Sequence, residues 1–284
     1  MKGNVFRFPV VARPPARPRD VSHLTGAVRE VKPGAAALDL KDARKVLFAV
    51  GRGGTGKTTF LRWAIGEAME REGDPPALAA CDPVNRTLTG FFPGVLTPTG
   101  DTAQWMGYFL SWLMEGAPGE GGKPTNVSGA LDMGGGDTAL IGLVKGLPRV
   151  ADIMEAKGLH PVLAVFLSPD PEDLTPLDAL NAVGFQPKAT LLVLNEGKVD
   201  TTMDAGVAFA PVRDDKTYQA ALARGAAEAW MPRLWDNAVV AAAGLRFRKA
   251  ATEAGSLGAF TRLRVMQGLD DMAARFAHVT SWLP

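Results

Sequence analysis

The sequence predicts an α/β protein in which a doubly wound, mainly parallel sheet is flanked by helices. Apolar runs of strand length recur from Lys45 onward, and longer segments of helical pattern separate them. Strands that alternate with helices form a parallel sheet covered on both faces. The 284 residues, of which 46% are hydrophobic, suit one large domain of this class. The predicted strands are KVLFAV, ALAAC, VSGALD, PVLAVFLS, ATLLVL and GVAFA.

The first segment of the chain differs in composition from the rest. The stretch RFPVVARPPARPRD is rich in Pro and Arg, and VKPGAAA follows it. We therefore predict a flexible, largely disordered arm over residues 1–37 and a folded domain over residues 38–284. Within that domain, Glu115–Asn126 is predicted to be a flexible surface loop, and the stretch from Asp215 to Leu245 is interpreted as helices.

Composition and charge exclude several classes of protein. A single cysteine, Cys81, rules out a disulfide framework within the chain and fits a reducing cytoplasm. No apolar run reaches the roughly 18 residues that a membrane span needs, and the first residues lack the apolar segment of a signal peptide. We expect a cytoplasmic protein without a membrane span. The net charge of +1 says little about partners.

The stretch GRGGTGKT, Gly51–Thr58, has the spacing G-x-x-x-x-G-K-[ST] and lies between a predicted strand and a predicted helix. In that position, successive backbone N–H groups and the helix N-terminus surround phosphate oxygens. Lys57 would reach the β- and γ-phosphates, Thr58 would ligate Mg²⁺, and Thr59 would lie near the α-phosphate. The loop residues predicted to cradle the phosphates are Gly51, Gly53, Gly54, Thr55 and Gly56.

The sequence RGGTGKTT resembles the deviant Walker A motif of the ParA and MinD ATPases, K-G-G-x-G-K-[ST]-T. Arg52 stands where that family has its signature lysine. The resemblance covers about residues 45–250 and implies a P-loop fold, ATP with Mg²⁺ as cofactors, and an ATP-dependent homodimer. In that family the signature residue reaches across the dimer to the partner's phosphates, so the resemblance implies a catalytic role for Arg52. Arginine keeps the positive charge and offers a planar fork suited to phosphate.

Two acidic residues follow predicted strands in the order that the family places them. Asp82 in ACDPVNR resembles the acid that orients the attacking water, although Ala80 replaces the first acid of that pattern. Asp132 in ALDMGGGD resembles the Walker B acid that holds Mg²⁺, and Asp137 follows the three glycines. The alternative for Asp82 is an Asp-Pro turn former.

Three later residues are candidates for contacting the base. Asn195 ends the predicted strand ATLLVLN, where related ATPases often present an amide to adenine. Pro211 and Arg213 follow GVAFA, which resembles the family's late strand whose loop lies against the adenine. Since the chain lacks an N-K-x-D sequence, which is the base code of GTPases, adenine is favoured over guanine.

Three classes of function remain open at the level of the sequence. The first is a ParA-like ATPase in plasmid partition, conjugative mobilisation or cargo positioning, with a protein partner that stimulates hydrolysis and possible non-specific DNA binding through Arg246, Arg248 and Lys249. The second is a metabolic P-loop ligase or synthase. The third is a MinD-like membrane-associated regulator, although Asp270 and Asp271 interrupt the terminal helix. The residues predicted to form the buried stripe of that helix are Leu263, Met266, Leu269, Met272 and Phe276.

Overall fold

The structure is a computed structural model that describes part of the chain. It covers residues 38–71, 75–82, 87–115, 117–118, 124–125, 127–134, 138–253, 255 and 257–284. These residues belong to the unit Pro33–Pro284, one of the two into which the chain divides. The predicted arm over residues 1–37 and Asp137 lie outside the described residues.

The centre of the fold is a sheet of six parallel strands. From one edge to the other, the strands are β2 Ala77–Ala80, β3 Gly129–Asp132, β1 Arg44–Val50, β4 Leu159–Leu167, β5 Ala189–Asn195 and β6 Ala227–Met231. The chain passes from β1 to the edge strand β2, returns to place β3 between these two, and then adds β4, β5 and β6 outward on the other side of β1. Neighbouring strands pair in parallel register throughout, which confirms the predicted doubly wound sheet.

Helices cover both faces of this sheet. Alternate residues of β1 enter two separate hydrophobic cores: Phe48 contributes to one and Leu47 to the other. Both faces of the strand are therefore buried, as a parallel sheet requires. The helices of the described residues are α1 Lys57–Glu70, α2 Thr102–Glu115, α3 Thr138–Gly146, α4 Val150–Ala156, α5 Thr175–Ala182, α6 Ala205–Ala208, α7 Ala210–Arg213, α8 Lys216–Ala223, α9 Asn237–Ala242, α10 Phe247–Thr252 and α11 Ala259–Arg275.

The last strand is not the one that the sequence predicted. The run GVAFA forms α6 and the start of α7, and the Asp204 side chain caps α6 by accepting a hydrogen bond from Val207 N at 3.1 Å. The sixth strand is instead β6, whose backbone pairs with β5 from Leu191 to Asn195. Its sequence AEAWM locally favours a helix, because Ala and Glu have high helix propensity. Pairing with a buried neighbour overrides that local preference.

The terminal helix is only partly buried along the predicted stripe. Leu269, Met272 and Phe276 are buried, but Leu263 and Met266 are 55% and 47% exposed, so the stripe begins later than predicted. The predicted loop from Glu115 to Asn126 contains a short antiparallel pairing of residues 117–118 with residues 124–125. No helix among the described residues is long and apolar enough to cross a membrane.

Candidate functional site

The loop Gly51–Thr58, which we call the phosphate loop after its sequence motif, connects the central strand β1 to the N-terminus of α1. Gly51, Gly54 and Gly56 have φ angles of 141°, 80° and 110°, a range that L-residues with side chains rarely adopt. A Cβ atom on Gly51 would lie 2.7 Å from Phe166 O, so a side chain there would also collide with β4. The glycines therefore allow the loop to curl tightly at the carboxyl edge of the sheet, where ligands bind in open α/β folds.

The N-terminus of α1 is prepared for an anion. Its N-cap residue, Gly56, provides no side-chain hydrogen bond, and the first turn contains no acidic residue. The uncapped amides and the helix dipole both favour a negative group at this end. Lys57 Nζ donates to Gly51 O at 2.6 Å and to Arg52 O at 3.0 Å, so a buried ammonium lies inside the curl of the loop. The loop thus concentrates hydrogen-bond donors in the way that phosphate binding requires.

Thr58 and Asp132 lie side by side beneath this loop. Thr58 Oγ1 donates to Asp132 Oδ2 at 2.8 Å, which joins the first turn of α1 to the end of β3. Asp132 is only 3% exposed, and Cys81 N donates to its carbonyl at 2.9 Å. Burial raises the pKa of the Asp132 carboxyl to about 6, against the opposing effects of Thr58 and Lys57. A buried carboxylate with a raised pKa is stabilised in its charged form by a nearby cation.

These oxygens fit Mg²⁺. The described residues contain no group of three or more His, Cys, Asp or Glu side chains that could hold a metal alone. Mg²⁺ is typically held by one or two protein oxygens together with substrate phosphates, so Thr58 and Asp132 beside a phosphate loop suit it. Asp82, two residues beyond β2, is half-buried and close enough that its charge further raises the Asp132 pKa. Carboxylates from two adjacent strands therefore approach the same edge of the loop.

Asn195 fastens the phosphate loop to the end of β5. Its Nδ2 donates to Thr55 O at 2.7 Å, and its Oδ1 accepts from Gly197 N at 2.9 Å. The side chain is buried, and a Cβ on Gly56 would collide with its amide nitrogen. Both ends of the amide are thus engaged by backbone, which gives Asn195 a positioning role. Asn195 also lines the cavity next to the loop, and the base contact that the sequence suggested stays a prediction.

A cavity of about 220 Å³ continues from the phosphate loop toward the loop that follows β6. Besides the glycines, its lining includes Pro232, Arg233 and Trp235, and Asn237 Nδ2 donates to Thr59 Oγ1 at 3.2 Å. The Trp235 indole is 66% exposed and lies under the Arg233 guanidinium, 5.2 Å from its ring centroid. A flat aromatic ring with polar backbone nearby suits a planar base. The sequence did not reveal these residues because the pattern of β6 does not indicate a strand, although Pro232 directly after an apolar run was an available signal.

Pro211 and Arg213 do not line this cavity. Both lie on α7, a short helix where the sequence predicted the loop after a strand. Arg213 Nε pairs with Glu228 Oε2 at 3.1 Å, and Glu228 also accepts hydrogen bonds from Tyr218 and from Trp230 Nε1. The base contacts of Pro211 and Arg213 therefore stay predictions, and the residues that line this cavity beside the glycines belong to the segment after β6.

Arg52 is held by carboxylates of its own chain. Its Nη1 lies 2.8 Å from Asp170 Oδ2, 3.3 Å from Glu172 Oε2 and 3.5 Å from Asp173 Oδ1. All three acids belong to the segment after β4. The Asp170 hydrogen bond raises the pKa of Arg52, and the Arg52 side chain is 42% exposed. The guanidinium thus lies at the surface of the phosphate loop, where exposed ion pairs exchange readily for other partners.

Similarity between this chain and known proteins is found among solved structures. No protein-family model and no curated protein matches it. Among solved structures, the chain is similar to the MinC:MinD cell division protein complex of Aquifex aeolicus, with 15% sequence identity over 82% of this chain and 96% of that chain and a TM-score of 0.39. A similarity at this level assigns no role to any residue, so the roles proposed below depend on the geometry of this chain.

The basic residues considered for DNA binding are mostly paired with acids. Arg248 makes two hydrogen bonds to Glu67, at 2.9 and 2.6 Å, and Lys249 Nζ lies 3.4 Å from Glu253 Oε2. Arg246 donates to Met69 Sδ at 3.5 Å. The positive charge that this segment offers to an external polyanion is therefore smaller than its sequence suggests.

Proposed function

We propose that this protein is a Mg²⁺-dependent P-loop ATPase that acts through an ATP-dependent dimer, in the manner of ParA-like positioning ATPases. The observation that carries the proposal is the glycine loop between β1 and α1 with Thr58 bonded to the buried Asp132. A phosphate cradle and a cation-binding oxygen pair at one sheet edge are what nucleoside triphosphate binding requires.

Lys57 is proposed to bind the β- and γ-phosphates. Its ammonium now donates to two carbonyls of the same loop, and phosphate oxygens are stronger acceptors than these carbonyls. Lys57 can exchange these carbonyls for phosphate oxygens by rotation of its side chain, because the loop already surrounds the ammonium group. Mg²⁺ would be held by Thr58 and Asp132, where it would neutralise charge that develops on the phosphates. The raised pKa of Asp132 means that this cation also relieves an unfavourable buried charge.

Asp82 is proposed to orient the water that attacks the γ-phosphate. It follows β2 at the same edge of the sheet as the phosphate loop, and it remains half-buried. A carboxylate at that place accepts a hydrogen bond from water and fixes its direction. Positioning of this kind is the main contribution that a protein makes to phosphoryl transfer.

The base of the nucleotide is proposed to lie in the cavity beside Trp235, with adenine as the base. The cavity continues from Gly54 and Gly56, so a nucleotide with its phosphates in the loop has its base directed there. Stacking on an indole supplies affinity, and the adjacent backbone supplies hydrogen-bonding groups. Asn195 joins the phosphate loop to the end of β5 through its hydrogen bond to Thr55 O.

Arg52 is proposed to act across the dimer. Two of its present partners, Asp170 and Glu172, are exposed carboxylates that a second molecule's phosphates can replace at small cost, and the third, Asp173, is buried. This exchange makes dimer formation depend on ATP, since ADP lacks the terminal phosphate. DNA is not included in the proposed function because the acids beside Arg248 and Lys249 compete with DNA phosphates for those cations.

The test is phosphate release from Mg²⁺-ATP by wild type and by Asp82→Asn. We expect the wild type to hydrolyse ATP, and we expect the variant to bind ATP with unchanged Kd but to turn over at least about 100-fold more slowly, because general-base positioning contributes about 10²–10⁴-fold. Asp271→Asn, which changes an exposed acid on α11, is the matched control. Equal rates in all three proteins would remove Asp82 from the chemistry, and no hydrolysis by wild type would contradict the ATPase proposal.

A further inference from the structure

A second cavity, of about 370 Å³, opens between α1 and α10. Its volume falls within the range of small-molecule sites, and Trp63, Phe247 and Leu269 form its apolar surface. Four cationic side chains line it, compared with two acidic ones, Glu67 and Glu70. We call this space the α1–α10 cavity. It is lined by none of the residues that form the proposed nucleotide site.

The deepest charge in the α1–α10 cavity is Arg62. This side chain is 3% exposed, and its Nη1 and Nη2 donate to the neutral acceptors Asn237 Oδ1 at 3.1 Å and Leu245 O at 2.9 Å. None of the ion pairs of the described residues includes it. Its guanidinium lies over the rings of Phe91 and Phe247, 3.8 and 4.4 Å from their centroids. Burial lowers the pKa of Arg62 to about 10. Aromatic faces offset only part of the cost of burying a positive charge. An anion beside Arg62 would therefore be favourable.

Two buried hydrogen-bond donors around the cavity also lack acceptors. Among the described residues, neither Arg62 Nε nor Trp63 Nε1 has a partner, although both residues line the space. Buried polar groups are normally paired, and each exception calls for a reason such as a missing ligand or ion. Among the buried side-chain atoms of the described cavity wall, two donors and no acceptor lack a partner, which indicates a ligand that accepts hydrogen bonds.

Within the described part of the chain, the mouth of the cavity retains one cation without an acidic partner. Arg248 is paired with Glu67, and Lys249 with Glu253, so their charges are largely compensated. Arg246 contacts the soft acceptor Met69 Sδ. Among the described residues that line the cavity, the cations without an acidic partner are therefore Arg62, which is buried, and Arg246, which is partly exposed.

We propose that the α1–α10 cavity binds a small organic anion, a carboxylate or phosphate ester on an apolar body, with its charged group near Arg62 and Arg246. The apolar body would replace water on Trp63, Phe247 and Leu269, which contributes through the hydrophobic effect. A polyanion such as DNA is too large for the interior of the cavity.

Occupancy of the cavity is coupled to the phosphate loop by two hydrogen bonds. Arg62 Nη1 donates to Asn237 Oδ1 at 3.1 Å, and Asn237 Nδ2 donates to Thr59 Oγ1 at 3.2 Å. Asn237 and Thr59 both line the first cavity. An anion that shifts Arg62 therefore changes the position of Asn237 and the affinity for nucleotide, and linkage makes the effect reciprocal. This coupling, unlike the anion site itself, rests on the proposed nucleotide site.

The first experiment titrates phenyl phosphate into the full-length, nucleotide-free protein and follows the Trp63 indole N–H signal by NMR, assigned with Trp63→Phe. We expect saturable binding with a Kd of about 1 mM or below. Arg246→Gln should weaken it about tenfold, which is the loss of one charge-assisted hydrogen bond. Arg224→Gln, which changes an exposed arginine directly after α8, is the matched control and should bind as wild type does.

Three controls distinguish binding in the α1–α10 cavity from binding elsewhere on the protein. Lys57→Ala should still bind the probe, since the phosphate loop is a different place. Benzyl alcohol, which lacks the charge, and inorganic phosphate, which lacks the apolar body, should each bind more weakly than phenyl phosphate. Failure of phenyl phosphate to move the Trp63 signal at about 10 mM, or equal affinity for wild type and Arg246→Gln, would overturn the proposal.

The second experiment measures the Kd of Mg²⁺-ATP with and without saturating phenyl phosphate. At a phenyl phosphate concentration that saturates wild type, we expect a change of about fivefold or more in wild type and a smaller change in Arg246→Gln, whose anion site is only partly occupied. Asn237→Ala keeps the anion site but lacks the connection to Thr59, so we expect no change in this variant. An unchanged ATP affinity in wild type with the cavity occupied would refute the coupling. A protein that binds phenyl phosphate but not ATP would refute the proposed function and leave the anion site standing.

Discussion

Asp132→Asn should stabilise the nucleotide-free protein while it weakens the binding of Mg²⁺-ATP. Asp132 is buried, and burial raises its pKa from 3.8 to about 6. The folded protein therefore holds this proton more tightly than the unfolded chain does. In wild type the free energy of unfolding falls as the pH rises from 3.8 to about 6, and above that range the loss stays constant.

The size of the effect follows from the same two values. A rise from 3.8 to about 6 corresponds to about 3 kcal/mol at pH 7. Asn has the same shape and keeps an oxygen that can accept the Thr58 hydrogen bond, so the substitution removes the buried charge without removing the contact. We therefore expect Asp132→Asn to be more stable than wild type at pH 7 by up to about 3 kcal/mol, and the difference should shrink toward pH 4.

The assay is urea denaturation of both proteins in EDTA without nucleotide, at pH values between 4 and 8 in steps of about one unit. Calorimetry with Mg²⁺-ATP then shows the opposite order, because the variant lacks the carboxylate that would hold the cation. A variant that is less stable than wild type at pH 7, or a stability difference that does not vary with pH, would refute the reasoning about the buried charge.

Two other substitutions test the site from different sides. Arg52→Ala should abolish ATP-dependent dimerisation, measured by light scattering, while the affinity for ATP stays unchanged. Arg52→Lys should restore the dimer. A wild type that is monomeric with ATP at every concentration would contradict the role of Arg52 across the dimer. Asn195→Ala should lower the free energy of unfolding by about 2–4 kcal/mol in urea denaturation, because Thr55 O and Gly197 N each lose a buried partner worth about 1–3 kcal/mol. A loss below about 0.5 kcal/mol would show that water or backbone replaces the amide.

Much of the fold could be predicted because its strands are buried on both faces. Five of the six predicted strands form, since continuous apolar runs such as PVLAVFLS have no stable alternative in water. The sixth prediction failed because GVAFA contains alanines and is preceded by the capping residue Asp204, while AEAWM has weak strand preference by itself. Only pairing with β5 distinguishes the second segment from a helix, and pairing is not visible in a local pattern.

The parts of the candidate site that belong to a sequence motif could be predicted. The parts that the fold brings together from distant segments could not. The phosphate loop and the proximity of Thr58 to Asp132 follow from the motif and from the rule that ligands bind at the carboxyl edge of a parallel sheet. The partners of Arg52 come from the segment after β4, more than a hundred residues away along the chain. The wall around Trp235 depends on β6. The α1–α10 cavity likewise combines helices that are distant in the sequence.

The most direct test of the phosphate-loop assignment is calorimetric titration of Mg²⁺-ATP into wild type and Lys57→Ala, with Lys145→Ala, which changes an exposed lysine on α3, as the matched control. Lys57 Nζ offers at least two charge-assisted hydrogen bonds to phosphate, each worth about 1.5–3 kcal/mol, so its loss should raise the Kd about 100-fold or more. We predict that wild type and Lys145→Ala bind ATP equally and that Lys57→Ala does not bind it measurably. Equal affinity in all three proteins, or no binding by wild type, would contradict the assignment on which every proposed role at the nucleotide site depends.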